Sequence, residues 1–97
     1  MGDDAPGGGI VRDLLIVNRK GLHARASARF VQTAERFDAA VTVTKDQTTV
    51  GGTSIMGLMM LSAGMGSTIR VAATGREADA VLAALVDLVG SRFGEEE

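Results

Sequence analysis

The single histidine of this 97-residue chain, His23, is the residue whose position most favours chemistry. It stands in the segment Gly21-Leu22-His23-Ala24-Arg25, where a predicted loop meets a predicted helix. The first N–H groups of a helix lack partners within the helix and carry partial positive charge. An imidazole there could accept a phosphoryl group, whose oxygens would meet those N–H groups. Arg25 could add a charge-assisted hydrogen bond to the same oxygens.

The position of His23 also fits a plainer interpretation, in which His23 only caps the helix and Arg25 is a solvated charge. Histidine and arginine are common near helix ends, so position alone favours this plainer interpretation. A hydrolase is less favoured still, because nothing in the sequence marks an acid–base partner for His23.

A second candidate site lies in the segment from Gly51 to Leu61. Ser54 is placed to cap a short helix, and a phosphate added to it would be favoured by the helix N-terminus. Gly52 and Gly57 have part of the spacing of a nucleotide-binding P-loop. Leu58 stands where the P-loop lysine is required, so we exclude that motif.

The same segment holds more apolar side chains than one face of a short helix can bury: Ile55, Met56, Leu58, Met59 and Met60. Some of them would then form an exposed patch, and methionine suits a surface shared by several partners. In the alternative, the short helix lies almost entirely in the core. The sequence alone leaves both interpretations open.

Composition excludes several classes of function. Ten Lys plus Arg against twelve Asp plus Glu give a net charge of −2, and the chain has three Phe but neither Trp nor Tyr. A nucleic-acid-binding protein normally has a basic excess and aromatic side chains for stacking. With no cysteine and one histidine, disulfides, thiolate zinc sites and histidine metal clusters are excluded. We therefore expect no metal, no cofactor and no nucleic-acid partner.

The chain also gives no reason to expect membrane insertion. Its longest apolar run, Ile55 to Leu61, is far shorter than the roughly 20 residues that a spanning helix needs. The N-terminus lacks the basic and apolar regions of a signal peptide. We expect a cytoplasmic protein.

Changes in hydrophobic period indicate the elements that must position these sites. Residues 10–93 are predicted to fold, between a disordered Gly-rich tail at 1–9 and a solvated acidic tail at 94–97. The predicted strands are Ile10–Val17, Val41–Thr44, Thr48–Gly51 and Ile69–Ala73. The predicted helices are Ala24–Phe37, with Arg25, Arg29, Gln32 and Arg36 along its exposed side, then Ser54–Leu61, and a last helix that begins after a Thr74/Glu77 capping box and stops at Gly90.

The resulting order is β-α-β-β-α-β-α, which is typical of an α+β fold with an antiparallel sheet and helices on one face. With that order, the two motifs Gly21–Arg25 and Ser54–Met59 resemble the HPr family. Its members are the histidine-containing phosphocarriers of the bacterial phosphoenolpyruvate-dependent phosphotransferase system. The resemblance extends from about Ile10 to Gly90. It implies an open-faced β-sandwich whose four-stranded sheet has the order 1-4-2-3.

The resemblance also implies a function that reverses the plainer interpretation of His23. By resemblance, His23 accepts a phosphoryl group on Nδ1 from the phosphorylated first enzyme of the system, enzyme I, and passes it to an EIIA-type protein. Arg25 matches the arginine that attends the phosphohistidine, and Ser54 matches the serine modified by an HPr kinase/phosphorylase. Such a chain is a monomeric carrier rather than an enzyme. The residues expected to bind partners are Arg29, Ile55, Met56 and Met59.

The sequence departs from the family pattern at several positions. Ala26 replaces the usual proline, which should leave the helix start intact but loosen the loop before it. Gln32 and Glu35 stand where many members have lysines, and Thr53 where many have a basic residue. The run Ala26-Ser27-Ala28 after Arg25 resembles the nitrogen-related or regulatory branch of proteobacteria. The sequence keeps open an alternative in which the chain is mainly a regulatory module, which signals by its phosphorylation state and passes little phosphate.

Overall fold

The computed structural model describes residues 9–95, and its elements follow the predicted order. The strands are β1 (Ile10–Leu15), β2 (Ala40–Lys45), β3 (Thr48–Gly51) and β4 (Thr68–Thr74). The helices are α1 (Ala24–Ala34), α2 (Ile55–Met60) and α3 (Ala78–Gly90), followed by a 3-10 helix at Arg92–Gly94. Of the predicted tails, residues 1–8 and 96–97 lie outside the described part of the chain.

All strand pairs are antiparallel, and the sheet has the order β1-β4-β2-β3, which confirms the predicted fold. Side chains alternate between the two faces of the sheet. On one face Val43 pairs with Val71 and both are fully buried. On the other face Asp13 pairs with Arg70, and their side chains form an exposed salt bridge of 2.9 Å. The sheet therefore has one covered face and one open face.

The core lies between the covered face of the sheet and the three helices. Each helix contributes apolar side chains that are fully buried, including Phe30 from α1, Leu58 from α2 and Leu85 from α3. Phe93, beyond α3, is buried with them. Within the described residues, no helix is both long enough and apolar enough to cross a bilayer.

The apolar stripe of α1 predicted a helix that ends at Phe37. In the structure the helix ends at Ala34. Beyond Ala34 the N–H groups of Arg36 and Phe37 donate to carbonyls three residues back, at 3.2 and 3.4 Å. The chain thus tightens into a turn while Phe37 still packs against the core. An apolar stripe shows which residues face the core, but it does not show where the backbone leaves the helix.

The predicted capping box before α3 is wrong. Thr74 is the last residue of β4, and Glu77 is the N-cap of α3 without a hydrogen bond from its side chain to the helix. The Glu77 carboxylate instead accepts a hydrogen bond from the Asp38 N–H at 2.7 Å, and the Glu77 N–H donates to the Asp38 carbonyl at 2.9 Å. Glu77 therefore ties the start of α3 to the turn that follows α1.

The segment Ser91–Glu95, which we name the C-terminal hook, was not predicted as an ordered element. Helix α3 ends at Gly90 as expected, and the chain then reverses through three residues with positive φ: Arg92 at 61°, Phe93 at 55° and Gly94 at 75°. Burial of Phe93 anchors this reversal. As a result Glu95 is not part of a solvated tail, because its side chain is only 14% exposed and contacts His23.

Candidate functional site

His23 is the N-cap of α1, with an extended backbone at φ −74° and ψ −178°. Its carbonyl accepts the N–H of Ser27 at 2.8 Å, which is the first turn of the helix. Its Nδ1 accepts a hydrogen bond from the N–H of Arg25 at 3.3 Å. A ring nitrogen that accepts a hydrogen bond carries the lone pair, so the proton of the neutral ring is on Nε2. The lone pair of Nδ1 therefore faces the N-terminus of α1.

The loop before His23 is held by backbone contacts that only glycine permits at position 21. Gly21 has φ +65°, and an added Cβ would lie 2.3 Å from the Ala63 carbonyl oxygen. This close approach allows the Leu22 N–H to donate to the same Ala63 carbonyl at 2.9 Å. The buried Asn18 side chain closes the turn by donating to the Gly21 carbonyl at 2.9 Å. The segment after α2 thus fixes the approach of the chain to His23.

A carboxylate lies on the other side of the imidazole. Oε2 of Glu95 is 2.5 Å from Nε2 of His23, and its Oε1 accepts a hydrogen bond from Nδ2 of Asn18 at 3.2 Å. Both ring nitrogens of His23 therefore have a partner, the Arg25 N–H at Nδ1 and the Glu95 carboxylate at Nε2. The His23 side chain is 27% exposed.

The surroundings of Glu95 keep it ionised. Partial burial raises the pKa of its carboxyl, but the hydrogen bonds from His23 and Asn18 and the charges of His23 and Lys20 lower the pKa more. The net result is a pKa below the ordinary value. At neutral pH the group beside Nε2 is therefore a carboxylate.

Arg29 holds the C-terminal hook against α1. Its Nη1 donates to the Phe93 carbonyl at 2.6 Å, and the side chain also lies against Gly94, where an added Cβ would be 2.8 Å from Nη1. Arg29 is exposed, as predicted from its place on the polar side of the helix. It also has a structural contact that the sequence did not indicate.

These groups surround an open cleft of about 700 Å³. It contains four cationic side chains and one carboxylate, so its charge favours an anion such as a phosphoryl group. The described residues hold no cluster of three or more His, Cys, Asp or Glu side chains suited to a metal ion. The residues that line the cleft are Arg19, Lys20, His23, Ala24, Arg25, Arg29, Gly94 and Glu95.

Ser54 caps α2 as predicted. Its backbone is extended, and its Oγ accepts the Gly57 N–H at 3.0 Å. The residue is exposed. Ser54 therefore accepts the capping hydrogen bond through Oγ and is also exposed on the surface.

The structure also decides between the two interpretations of the apolar segment in α2. Of its side chains only Leu58 is buried. Ile55 and Met59 are each 40% exposed, Met56 is 71% exposed and Met60 is 73% exposed. We call these four residues the apolar patch. They lie on a helix that packs against α1, and a contiguous group of exposed apolar side chains is typical of a protein-binding surface.

Sequence reasoning did not single out Asn18 and Glu95, which bond to each other beside His23, or Arg19 and Lys20, which line the cleft. Asn18 lies in the turn after β1, and no feature of the sequence distinguishes a buried turn asparagine from an exposed one. Glu95 begins the run Glu95-Glu96-Glu97, which has the composition of a solvated end. Its contact with His23 depends on a reversal of the backbone that has no local sequence pattern.

Comparisons with known proteins identify the relatives of this chain. A family model described as "PTS HPr component phosphorylation site" matches residues 10–91. The phosphocarrier protein HPr of Neisseria meningitidis serogroup A is 49% identical over 82 residues, which make up 84% of this chain and 92% of that protein. The phosphocarrier protein NPr of Shewanella violacea is 40% identical over 84 residues, 87% of this chain and 92% of that protein.

A solved structure has the same fold. The crystal structure of HPr-C-His from Thermoanaerobacter tengcongensis superposes with a TM-score of 0.85 at 42% sequence identity. The match covers 90% of this chain and 98% of that chain.

Proposed function

The chain belongs to the HPr family of the phosphotransferase system, and from this membership we propose that it carries a phosphoryl group on His23. The observation that supports the proposal most strongly is the position of His23 as the N-cap of α1, with Nδ1 facing the N–H of Arg25. The cationic cleft around the ring supports it as well.

In the proposed reaction the lone pair of Nδ1 attacks the phosphorus atom carried by enzyme I. A P–N bond to His23 forms, and the bond between phosphorus and the donor breaks with its electron pair left on the donor. The phosphoryl oxygens are met by the free N–H groups at the start of α1 and by the guanidinium of Arg25. The reverse sequence at an acceptor, an EIIA-type protein, releases the group. The chain is then a carrier that is consumed and regenerated, and not a catalyst.

The same surface meets donor and acceptor in turn. The cationic cleft attracts acidic partners, and the apolar patch supplies buried contact area once they dock. Ile55, Met56, Met59 and Arg29 are the docking residues. Affinity for each partner is modest, because a carrier must dissociate quickly. We expect the chain to act as a monomer in the cytoplasm.

Phosphorylation of Ser54 by an HPr kinase/phosphorylase would regulate this docking. Ser54 is exposed and directly precedes Ile55 and Met56 of the apolar patch. A phosphate there adds negative charge where the donor must bind, and it weakens docking with an acidic donor.

A chase experiment tests the carrier proposal against the regulatory alternative. The chain is phosphorylated by enzyme I and phosphoenolpyruvate, purified, and mixed with an EIIA-type protein from the same organism. The carrier proposal predicts that the label moves to the acceptor within seconds and that unlabelled chain is recovered. Label that stays on the chain in the presence of a competent acceptor supports the regulatory alternative.

A further inference from the structure

We propose that Glu95 is a positioning residue for this reaction, because its carboxylate holds the proton on Nε2 of His23 and stabilises the positive ring that forms when Nδ1 is phosphorylated. The inference rests on the proposed function and adds to it a residue from the far end of the chain. In the structure, Glu95 approaches the ring from the side opposite the N-terminus of α1.

The geometry of the contact supports a positioning role. Oε2 of Glu95 lies 2.5 Å from Nε2, within hydrogen-bond reach, and a hydrogen bond to an ionised acceptor is short and strong. A carboxylate accepts hydrogen bonds and cannot donate them, so it selects the ring form with the proton on Nε2. That form leaves the lone pair on Nδ1, the atom that faces Arg25.

One hydrogen bond holds the carboxylate itself, and two restraints at Phe93 hold the backbone that leads to it. Asn18, which is fully buried, donates to Oε1 at 3.2 Å and fixes the rotation of the carboxylate. Phe93, two residues before Glu95, is fully buried. Arg29 bonds the Phe93 carbonyl at 2.6 Å. A group held in this way can orient the ring, whereas a carboxylate on a free tail would lose most of its effect to motion.

The His23 ring changes charge during the transfer step, and the Glu95 carboxylate stabilises the charged form. Nδ1 uses its lone pair to bond phosphorus while Nε2 keeps its proton, so the His23 ring becomes a cation. The electron pair of the broken bond goes to the donor. The carboxylate then faces a positive ring across the same hydrogen bond and stabilises it. When the phosphoryl group leaves, the electron pair of the P–N bond returns to Nδ1 and the ring is neutral again.

The expected consequence is a shift in the pH dependence of the rate at which phosphorylated His23 loses its phosphate. A phosphohistidine loses phosphate faster when its ring is protonated, because the neutral imidazole is then the leaving group. Glu95 favours the protonated ring, so removal of its charge should move the midpoint of the profile to lower pH, by on the order of one unit. At pH values above both midpoints, the Glu95→Gln variant should lose phosphate roughly tenfold more slowly than the wild type, and the difference should be smaller between the midpoints.

The test compares the wild type with Glu95→Gln and with a matched control, Asp87→Asn. The control makes the same change of carboxylate to amide on an exposed residue of α3 that does not line the cleft. Each protein is phosphorylated with enzyme I and phosphoenolpyruvate, and phosphate loss is followed between pH 5 and 9. Thermal unfolding of each variant checks that it is folded. A merely structural role for Glu95 would change the unfolding temperature and leave the profile in place.

The outcomes separate this inference from the proposal on which it rests. If the wild type takes up no phosphate on His23, the carrier proposal itself fails. If the wild type is labelled, a profile of folded Glu95→Gln shifted to lower pH, with Asp87→Asn unchanged, supports the positioning role. Coincident profiles for the three proteins would overturn that role and leave the carrier proposal intact.

Discussion

Arg25 contributes to the site through both its main chain and its side chain. Its N–H donates to Nδ1 of His23 in the unphosphorylated chain, while its exposed guanidinium lines the cleft. In the proposed reaction, phosphorylation of Nδ1 uses the lone pair that this N–H now meets. The N–H and the guanidinium are then both available to the phosphoryl oxygens.

We expect Arg25→Gln to slow phosphoryl transfer to His23 by roughly 10- to 100-fold, because a hydrogen bond to a charged group contributes about 1.5–3 kcal/mol. The fold should be unaffected, since the side chain is exposed. Rapid-quench measurement of labelling by enzyme I gives the rate. Arg12→Gln, on exposed Arg12 of β1, is the matched control, and equal rates for the two variants would refute the role of Arg25.

A second prediction at this scale concerns stability and pH. A carboxyl whose pKa is lower in the folded chain stabilises the fold above its ordinary pKa, which is 4.5 for Glu95, and the effect is lost as the pH falls through the folded value. We expect Glu95→Gln to be less stable than the wild type by about 1 kcal/mol at pH 7. The difference should vanish at acidic pH. Urea denaturation at pH 7 and pH 3 measures the difference in the free energy of unfolding between Glu95→Gln and the wild type. An equal difference at the two pH values would contradict a lowered pKa for Glu95 in the folded chain.

At the scale of elements, the site depends on two backbone reversals that the sequence indicates to different degrees. Gly21 marks the first, and glycine in a loop before a helix is a recognisable signal. The second is the C-terminal hook, where non-glycine residues Arg92 and Phe93 have positive φ. Each such residue costs on the order of 1 kcal/mol, and burial of the Phe93 ring offsets that cost.

Those two reversals also show how much of the site could be predicted. His23 as a helix cap and Ser54 as the cap of α2 follow from local patterns, and the structure has both. The sheet order followed from the family resemblance. The position of Glu95 follows from neither, because it depends on the packing of Phe93 against residues far away in the chain. Glu77 was mispredicted for a similar reason, since its partner, Asp38, lies in a different turn.

The Gly21 loop gives a prediction with a close internal control. In Gly21→Ala the new methyl group would lie 2.3 Å from the Ala63 oxygen and 2.7 Å from Cα of Gly64, and the backbone must shift. We expect destabilisation of more than about 1 kcal/mol and slower labelling of His23. Gly64→Ala, where an added Cβ meets nothing within 4 Å, should be nearly neutral. Thermal unfolding of both variants is the measurement, and equal effects would be inconsistent with the observed contact.

The cap of α2 gives another prediction. Ser54→Ala removes the acceptor of the Gly57 N–H and should cost about 1 kcal/mol. Ser54→Asp retains a capping oxygen and should be close to the wild type in stability. Unfolding in urea compares the two. A loss in Ser54→Asp as large as that in Ser54→Ala would show that the cap contributes little.

At the scale of the whole molecule, the sheet has one open face, while the site and the apolar patch belong to the helical layer. The apolar patch lies on α2, which packs against α1, and His23 caps α1. A partner that docks on these helices can therefore meet the apolar patch and the cleft together. Under the proposed function, donor and acceptor would compete for this surface and bind it one at a time, as a carrier requires.

We expect Met56→Glu to weaken the interaction with both enzyme I and the EIIA-type protein by about tenfold or more, because a charge replaces apolar contact area. Stability should change little, since Met56 is 71% exposed. Met65→Glu is the matched control, with the same substitution at an exposed methionine outside the apolar patch, 62% exposed. Titration calorimetry with each partner gives the affinities. Equal losses for the two variants would argue against the apolar patch as the docking surface.

Mapping the phosphorylated residue shows whether His23 carries the phosphoryl group. The chain and His23→Ala are incubated with phosphoenolpyruvate and enzyme I, and the label is located by mass spectrometry under alkaline conditions that preserve phosphohistidine. We expect one acid-labile phosphoryl group on His23 of the wild type and none on the variant. With enzyme I shown to be phosphorylated, an unlabelled wild type, or label on another residue such as Ser54, would contradict this expectation.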